Sequence, residues 1–323
     1  MMRNFGIALD IDGVLFRGTK IIRGAKEAIY KLERNRIPFV FITNGGGTFE
    51  KKKAAHLSQQ LCPSANIGDG QVILCHTPYK SLVSKYANRN VLILGKKECL
   101  SVANEYGFSK TTNSANILLA NPTILPNRQP FNISSPTSFH LSEKIELIEA
   151  IMVFHDPEDW TLDIQLVCDL LTPDRDGQHI PFYSCNADIV YNTEHPLPRF
   201  TQGAFVSACQ HLYKNLYKQD LKVNFFGKPF KIQYEYAERL LDQQAARLGQ
   251  SPPATYFGIG DNPLSDIKGA NEAGSKWKSI LVRTGIFNSN LENDVDNPAD
   301  FVVEDVEKAV DLILQLELDF KNQ

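Results

Sequence analysis

The run Phe5-Gly6-Ile7-Ala8-Leu9 ends abruptly in Asp10-Ile11-Asp12-Gly13-Val14-Leu15, and the reading of this stretch decides the fold. The apolar run is too short for a lone helix and has no polar alternate face, so it suits a strand at the centre of a parallel sheet covered on both sides. Ligands of open α/β sheets bind outside the carboxyl ends of strands. Here two carboxylates, Asp10 and Asp12, leave that end, on one side of the chain if it stays extended, before Gly13 lets the backbone turn away. Two acids this close repel. Beside an anionic substrate they call for a cation between them, and oxygen ligands of this kind favour Mg²⁺. One carboxylate can then serve as nucleophile while the other trades a proton with the leaving and attacking oxygens. Asp-x-Asp-Gly also opens calcium loops and ordinary turns, so the rest of the chain has to decide.

Outward from this stretch the α/β alternation repeats. Ala25, Ala28, Ile29 and Leu32 are at helical spacing, and Phe39-Val40-Phe41-Ile42 is a second buried-strand run ending in Thr43-Asn44-Gly45-Gly46-Gly47. A phosphate could rest there, ahead of the next helix; the alternative is a Gly-rich turn, and no Gly-Lys-Ser/Thr follows to make a Walker loop. Residues 50–88 read as two helical stretches around Val72-Ile73-Leu74. From Val91 a fresh α/β pattern begins: a strand at 91–95, a proline-bearing surface loop at 121–138, helical spacing from Ser142, strands at 150–154 and 181–183, and a helix at 162–171 between them. A long amphipathic helix at 202–217 leads to Val223-Asn224-Phe225-Phe226 and Gly227-Lys228-Pro229. Lys228 thus stands at a third strand end, with Pro229 as the first residue of the next helix. Tyr256-Phe257-Gly258-Ile259-Gly260 is a fourth strand, ending in Asp261-Asn262-Pro263 with Asp266 beyond. A strand at 279–282 and a helix at 306–318 follow.

The chain has 323 residues, 43% hydrophobic and 22% charged, which predicts two globular domains. The expected division is a core of residues 1–80 and 199–323 with an inserted α/β module at 81–198. A net charge of -3 supplies no field for nucleic acid, and Lys51-Lys52-Lys53 reads as the solvated face of a helix. Six cysteines without a Cys-x-x-Cys pair suggest neither a zinc site nor a disulfide framework, as in a reducing compartment. No apolar run approaches the roughly 18 residues of a membrane span.

Four strands therefore end in Asp10/Asp12, Thr43/Asn44, Lys228 and Asp261/Asp266, and a parallel sheet gathers strand ends. Gathered, they supply a nucleophile, an acid/base, donors and a cation for phosphoryl oxygens, and further acids for a metal. The order Asp10-x-Asp12-Gly13-Val14-Leu15, Thr43-Asn44, Gly227-Lys228-Pro229, Gly260-Asp261-Asn262-Pro263-x-x-Asp266 resembles the haloacid dehalogenase superfamily over nearly the whole chain. The insertion resembles a type IIA cap. Phe16-Arg17-Gly18, the 43–47 run, the stretch from His76 to Leu82 and His155-Asp156-Pro157-x-Asp159-Trp160 are most similar to the cat eye syndrome critical region protein family.

The resemblance implies a Rossmann-like parallel-sheet core with a smaller α/β cap, and a Mg²⁺-dependent phosphatase acting on a small-molecule phosphate monoester. It implies Asp10 as the residue phosphorylated and Asp12 as general acid/base. Thr43, Asn44 and Lys228 would meet the phosphate. Mg²⁺ would be held by Asp10, the Asp12 carbonyl and Asp261, with Asn262 and Asp266 supporting lysine and metal. In the cap, His155, Asp156 and Trp160 after one strand, and Asn186 and Asp188 after another, are expected to face the core and contact the leaving group. The competing reading makes His155 and Asp156 the cap of the helix entered through Pro157. The resemblance also links the chain to mitochondria and glycerophospholipid metabolism, and a homodimer is a further expectation. Only nine residues precede Asp10, which leaves no room for an Arg-rich presequence and keeps the cytoplasm as the alternative. A phosphotransferase or mutase, or a non-catalytic metabolite-binding protein on the same fold, are the other readings.

Overall fold

The apolar runs become central strands because neither of their faces can be left to water. Phe5–Leu9 is buried at every position and pairs in parallel on both edges, with Thr255–Gly260 and with Phe39–Ile42. This structure, a computed structural model, describes residues 5–62, 67–96, 98–126, 147–173, 180–191, 195–287 and 291–321, the side chains as far as residue 316. Across the first sheet the order is Phe301–Val303, Trp277–Val282, Thr255–Gly260, Phe5–Leu9, Phe39–Ile42, Val72–Ile73, all parallel. The chain works outward from the Phe5 strand on one side, then returns to its other side and works outward again. The reversal lies between Phe5–Leu9 and Thr255–Gly260, and that is where such sheets open a crevice. Asp10 and Asp261 are the first residues beyond these two strands.

Alternate side chains face opposite layers. Ile7, Leu9, Phe39 and Phe41 pack with Ala28, Ile29 and Leu32 of the helix Ala25–Arg34, with Leu57 of Glu50–Leu61, and with Val310 and Ile313 of Val306–Lys321. Ala8, Val40 and Ile42 pack the other way, against Tyr234, Ala237 and Leu241 of Lys231–Arg247. A second parallel sheet has the order Asn224–Phe225, Phe182–Ser184, Ala150–Val153, Asn90–Leu94, Lys110–Thr112. Helices Trp160–Leu170 and Gln202–Tyr217 share a core with one face of it, and Cys99–Tyr106 with the other.

The structure corrects the expectation on four points. The strand before Lys228 does not join the first sheet: Asn224 and Phe225 pair with Tyr183 and Ser184 of the second. The long helix Gln202–Tyr217 packs on that second sheet too, so a boundary at 198/199 cuts through the module, and the return to the first sheet falls after Phe226. An apolar run announces a strand; which edge it pairs with is a long-range choice that the run does not contain. The following helix starts at Lys231 rather than Pro229. The helix after Pro157 starts at Trp160 and is capped by Asp159, whose carboxylate accepts from the Leu162 N–H at 3.2 Å, so neither His155 nor Asp156 caps it. The expected loop beyond 126 and the helical spacing from Ser142 to 146 lie outside the described residues. Among the described residues no helix is long and apolar enough to cross a membrane.

One buried acid tests the packing of the second module. Asp163 of Trp160–Leu170 is buried and accepts from the Ser114 hydroxyl; burial pushes its carboxyl up to about 6, with Asp159 adding repulsion. A folded-state value above the unfolded one of about 3.9 means stability lost as pH rises from about 4 to 6, and a constant deficit above. Asp163→Asn, which can still accept from Ser114, is expected to raise the melting temperature at pH 8 by at least ~2 °C and to change nothing near pH 3.5. Equal melting temperatures at pH 8 would show the carboxylate to be adequately solvated.

Candidate active site

Four side chains from three separate places in the chain meet at the switch point. The Lys228 ammonium, 2% exposed, donates to Asp10 Oδ1 and to Asp266 Oδ1, each at 2.6 Å. Oxygens of Asp10, Asp261 and Asp266 lie within 4.8 Å of one another, and all three residues are buried. Gly260 is required for this approach: a Cβ there would fall 2.1 Å from the Asp266 Cβ, so only glycine lets the turn fold Asp266 back over the strand end. That turn is tied off by Asn262, whose N–H donates to Asp266 Oδ2 at 3.0 Å and whose side-chain oxygen accepts from the Leu264 N–H. Asp261 is held by the Ile286 N–H at 2.6 Å, and Gly285 and Gly13 lie so close to its carboxylate that a Cβ on either would overlap it.

Three buried carboxylates against one ammonium leave surplus negative charge. Burial pushes the Asp10 carboxyl well above the usual range despite Lys228, with Asp266, Asp261 and Asp12 adding repulsion. Burial and Asp266 push Asp261 up to about 7, against the pull of the Ile286 N–H and of Lys228. Burial works against the Lys228 charge, but Asp10 and Asp266 outweigh it and hold the group an ammonium. Asp12, two residues beyond Asp10, is exposed. Its carboxylate and the Thr43 hydroxyl both face Gly45, where a Cβ would lie 3.9 Å from Asp12 Oδ2 and 3.3 Å from Thr43 Oγ1. Thr43 Oγ1 accepts from the Gly45 N–H at 2.9 Å.

Asn44 is used differently from its neighbour. Its side-chain oxygen accepts from the Lys228 N–H at 2.8 Å, and its amide nitrogen donates to the Lys228 carbonyl at 3.0 Å and to Asp188 Oδ2 at 2.9 Å. Both amide hydrogens are thus taken, by Lys228 and by the inserted module. The rest of the glycine run is not an open cradle: a Cβ on Gly46 would lie 2.6 Å from Cys75 Sγ, and one on Gly47, at φ +72°, 2.4 Å from the His155 ring. These glycines let the first sheet's loop pass under the inserted module.

Two family models match the chain, a haloacid dehalogenase-like hydrolase over residues 7–109 and a HAD-hydrolase-like one over 225–309. A mitochondrial hydrolase of Saccharomyces cerevisiae is 34% identical, with 97% of this chain and 96% of that protein covered. The chain belongs to the haloacid dehalogenase-like hydrolases. A cardiolipin synthase (CMP-forming)/mitochondrial hydrolase fusion protein of Schizosaccharomyces pombe is 37% identical over 86% of this chain, which spans 48% of the fusion. Among solved structures, a p-nitrophenyl phosphatase from Archaeoglobus fulgidus superposes with a TM-score of 0.67 at 16% identity, covering 96% of this chain and 100% of that one. The shared fold is a Rossmann-like core carrying an inserted type IIA cap, here the five-stranded module.

Of the cap residues expected at the cleft, Asp188 reaches the core side chain Asn44, and Asn186 reaches the Asn44 carbonyl at 3.4 Å while also donating to Thr201 Oγ1. Asp156 accepts from Thr201 Oγ1 at 2.9 Å, and Trp160 donates to the Pro157 carbonyl and packs against Phe200 and Phe205. These two serve the cap's own packing, while the His155 ring lies against Gly47. Sequence reasoning missed two groups. One is Thr284 to Ile286, which holds Asp261 and, through the Thr284 hydroxyl, the Gly13 carbonyl at 2.6 Å. Its signal is the Thr-Gly pair just beyond the strand Trp277–Val282, the same strand-end logic that found the others. The second is Glu50, a buried carboxylate accepting from Thr77, Lys80 and Tyr106 at 3.0, 2.8 and 2.7 Å. Burial pushes it up, but the hydrogen bond and charge of Lys80 outweigh that and hold it below the ordinary range. It ties a core helix to the cap, and no local spacing announces it.

Lys228→Met would leave Asp10 and Asp266 buried without their cation. The expected loss of unfolding free energy is about 3 kcal/mol at pH 8, shrinking as the pH is lowered and the acids take up protons. Urea titrations at pH 8 and pH 5.5 check this; a variant as stable as wild type at pH 8 would contradict the charge balance described.

Proposed function

We propose that this chain is a Mg²⁺-dependent phosphatase that hydrolyses a small-molecule phosphate monoester through a phospho-aspartate on Asp10. The observation that carries the reading is the pairing of a buried Asp10, held by Lys228 at 2.6 Å, with an exposed Asp12 two residues on at the switch point of a parallel sheet. The family and the phosphatase fold neighbour support it. The donor set fits a hard divalent cation: Asp10, Asp261 and Asp266 offer oxygens within 4.8 Å, and they carry more negative charge than Lys228 balances. Asp10, the main-chain carbonyl of Asp12, and Asp261 would hold Mg²⁺, which when bound offsets charge building on the phosphoryl oxygens.

The remaining steps belong to the protein's own groups. The Asp10 carboxylate attacks phosphorus, the ester oxygen leaves with a proton from Asp12, and an acyl phosphate is formed. Asp12, now ionised, takes a proton from the water that attacks the phosphorus, and inorganic phosphate and free Asp10 are regenerated. Thr43 donates its hydroxyl hydrogen to a phosphoryl oxygen, and Lys228 supplies a fixed positive charge in ground and transition states. We further infer a mitochondrial setting and a role in glycerophospholipid metabolism, on the strength of two mitochondrial relatives, one of them joined to a cardiolipin synthase.

A phosphate-release panel of sugar phosphates, nucleotides, phosphoglycolate, p-nitrophenyl phosphate and glycerophospholipid phosphates with Mg²⁺ tests the class. Asp10→Asn is expected to abolish turnover, and Asp12→Asn to lower it by about 10² to 10⁴. Turnover in Asp10→Asn close to wild type would rule out the aspartyl intermediate. Mg²⁺ is expected to raise the melting temperature of wild type. Asp261→Asn should raise the metal-free melting temperature, because it removes a buried charge, and should cancel the Mg²⁺ shift. A Mg²⁺ shift that survives in Asp261→Asn would remove this carboxylate from the metal site.

A further inference from the structure

Asn44 holds the Lys228 peptide at both ends, and an amide can do this in two orientations that look alike in outline but not in charge. With its oxygen on the Lys228 N–H and its NH₂ on the Lys228 carbonyl, both bonds form, at 2.8 and 3.0 Å. Turned over by 180°, it sets NH₂ against N–H and oxygen against carbonyl, and both bonds are lost. The two bonds to Lys228 already select one orientation, and the second amide hydrogen anchors the amide in it from the cap side, donated to Asp188 Oδ2 at 2.9 Å. A carboxylate accepts and cannot donate, so it tolerates the NH₂ and repels the oxygen.

Asp188 is itself firmly placed. Its N–H donates to Asn186 Oδ1 at 2.8 Å and its carbonyl accepts from the Gly203 N–H at 3.0 Å. Gln202, in the first turn of Gln202–Tyr217, takes the N–H groups of Cys185 and Asn186 on its side-chain oxygen at 2.8 and 3.1 Å. Gly203 lets the loop lie directly on that turn, since a Cβ there would fall 2.3 Å from the Ala187 carbonyl oxygen. The same loop presses on the residue before the lysine: a Cβ on Gly227 would lie 2.1 Å from the Cys185 carbonyl oxygen.

We propose that Asp188 is a positioning residue of the reaction: from the cap it anchors the Asn44 amide that clamps the Lys228 peptide, and thereby sets where the Lys228 ammonium meets Asp10 and the phosphoryl group. The role rests on the phosphatase reading. It differs from contact with the leaving group, because Asp188 acts through Asn44 on the part of the site common to all phosphate esters. A cap loop thus completes the core's phosphate site.

The test compares Asp188→Ala, Asp188→Asn, Asn44→Ala and the double alanine variant, all with Mg²⁺. Asp188→Ala is expected to lower kcat/KM about 10- to 100-fold, by the same factor for every ester hydrolysed. Asp188→Asn, whose side-chain oxygen can still accept from Asn44, is expected to recover to within about fivefold of wild type. The double variant should be no worse than Asn44→Ala. Unchanged turnover in Asp188→Ala, losses that differ between leaving groups, additive losses in the double variant, or an Asp188→Asn as impaired as Asp188→Ala would each overturn the proposal. Orthovanadate affinity by calorimetry separates it from the phosphatase reading. A wild type inert toward every ester sinks that reading, while the clamp still predicts affinity lowered about 10-fold in both single alanine variants and regained in Asp188→Asn. Equal orthovanadate affinity in all variants would sink the clamp.

Discussion

A buried ammonium, Lys228, shared between Asp10 and Asp266 is the interaction on which the rest of the site depends. Each partner comes from a different part of the chain, and burying any one of them alone would be costly. Held together they still carry more negative than positive charge once Asp261 is counted. A site of this kind is stable in the folded protein only because strands, turns and glycines leave its members nowhere else to go. The surplus charge is what the proposed divalent cation would offset.

Glycines set the close approaches. Gly260 and Gly285 bring Asp266 and a loop against the strand end that carries Asp261. Gly46, Gly47 and Gly227 let the core backbone pass the cap at distances that a side chain would forbid, and Gly203 does the same within the cap. The core and cap are joined by backbone fit, by the buried Glu50 cluster, by the Asn44 amide and by an apolar cluster in which Tyr79 packs on Phe154, Tyr183 and Phe226. Through Asn44 a cap carboxylate is thereby linked by hydrogen bonds to the backbone of a core lysine.

The amino-acid sequence by itself determined the buried strands, their alternation with helices, and the chemistry at their ends. Asp10, Asp12, Thr43, Lys228, Asp261 and Asp266 stand where apolar runs stop, and burial of both sheet faces makes such runs legible. What it did not contain was the pairing of Asn224–Phe225 with the cap sheet, because an apolar strand is satisfied by any edge that covers it and the choice is made by distant residues. Nor did it contain the use of Asn44 to hold Lys228, since a polar residue at a strand end offers the same donors to a phosphate as to a peptide. Only the tertiary structure decided these, by bringing the Lys228 peptide and Asp188 to either side of one amide and so taking both its hydrogens and one lone pair of its oxygen.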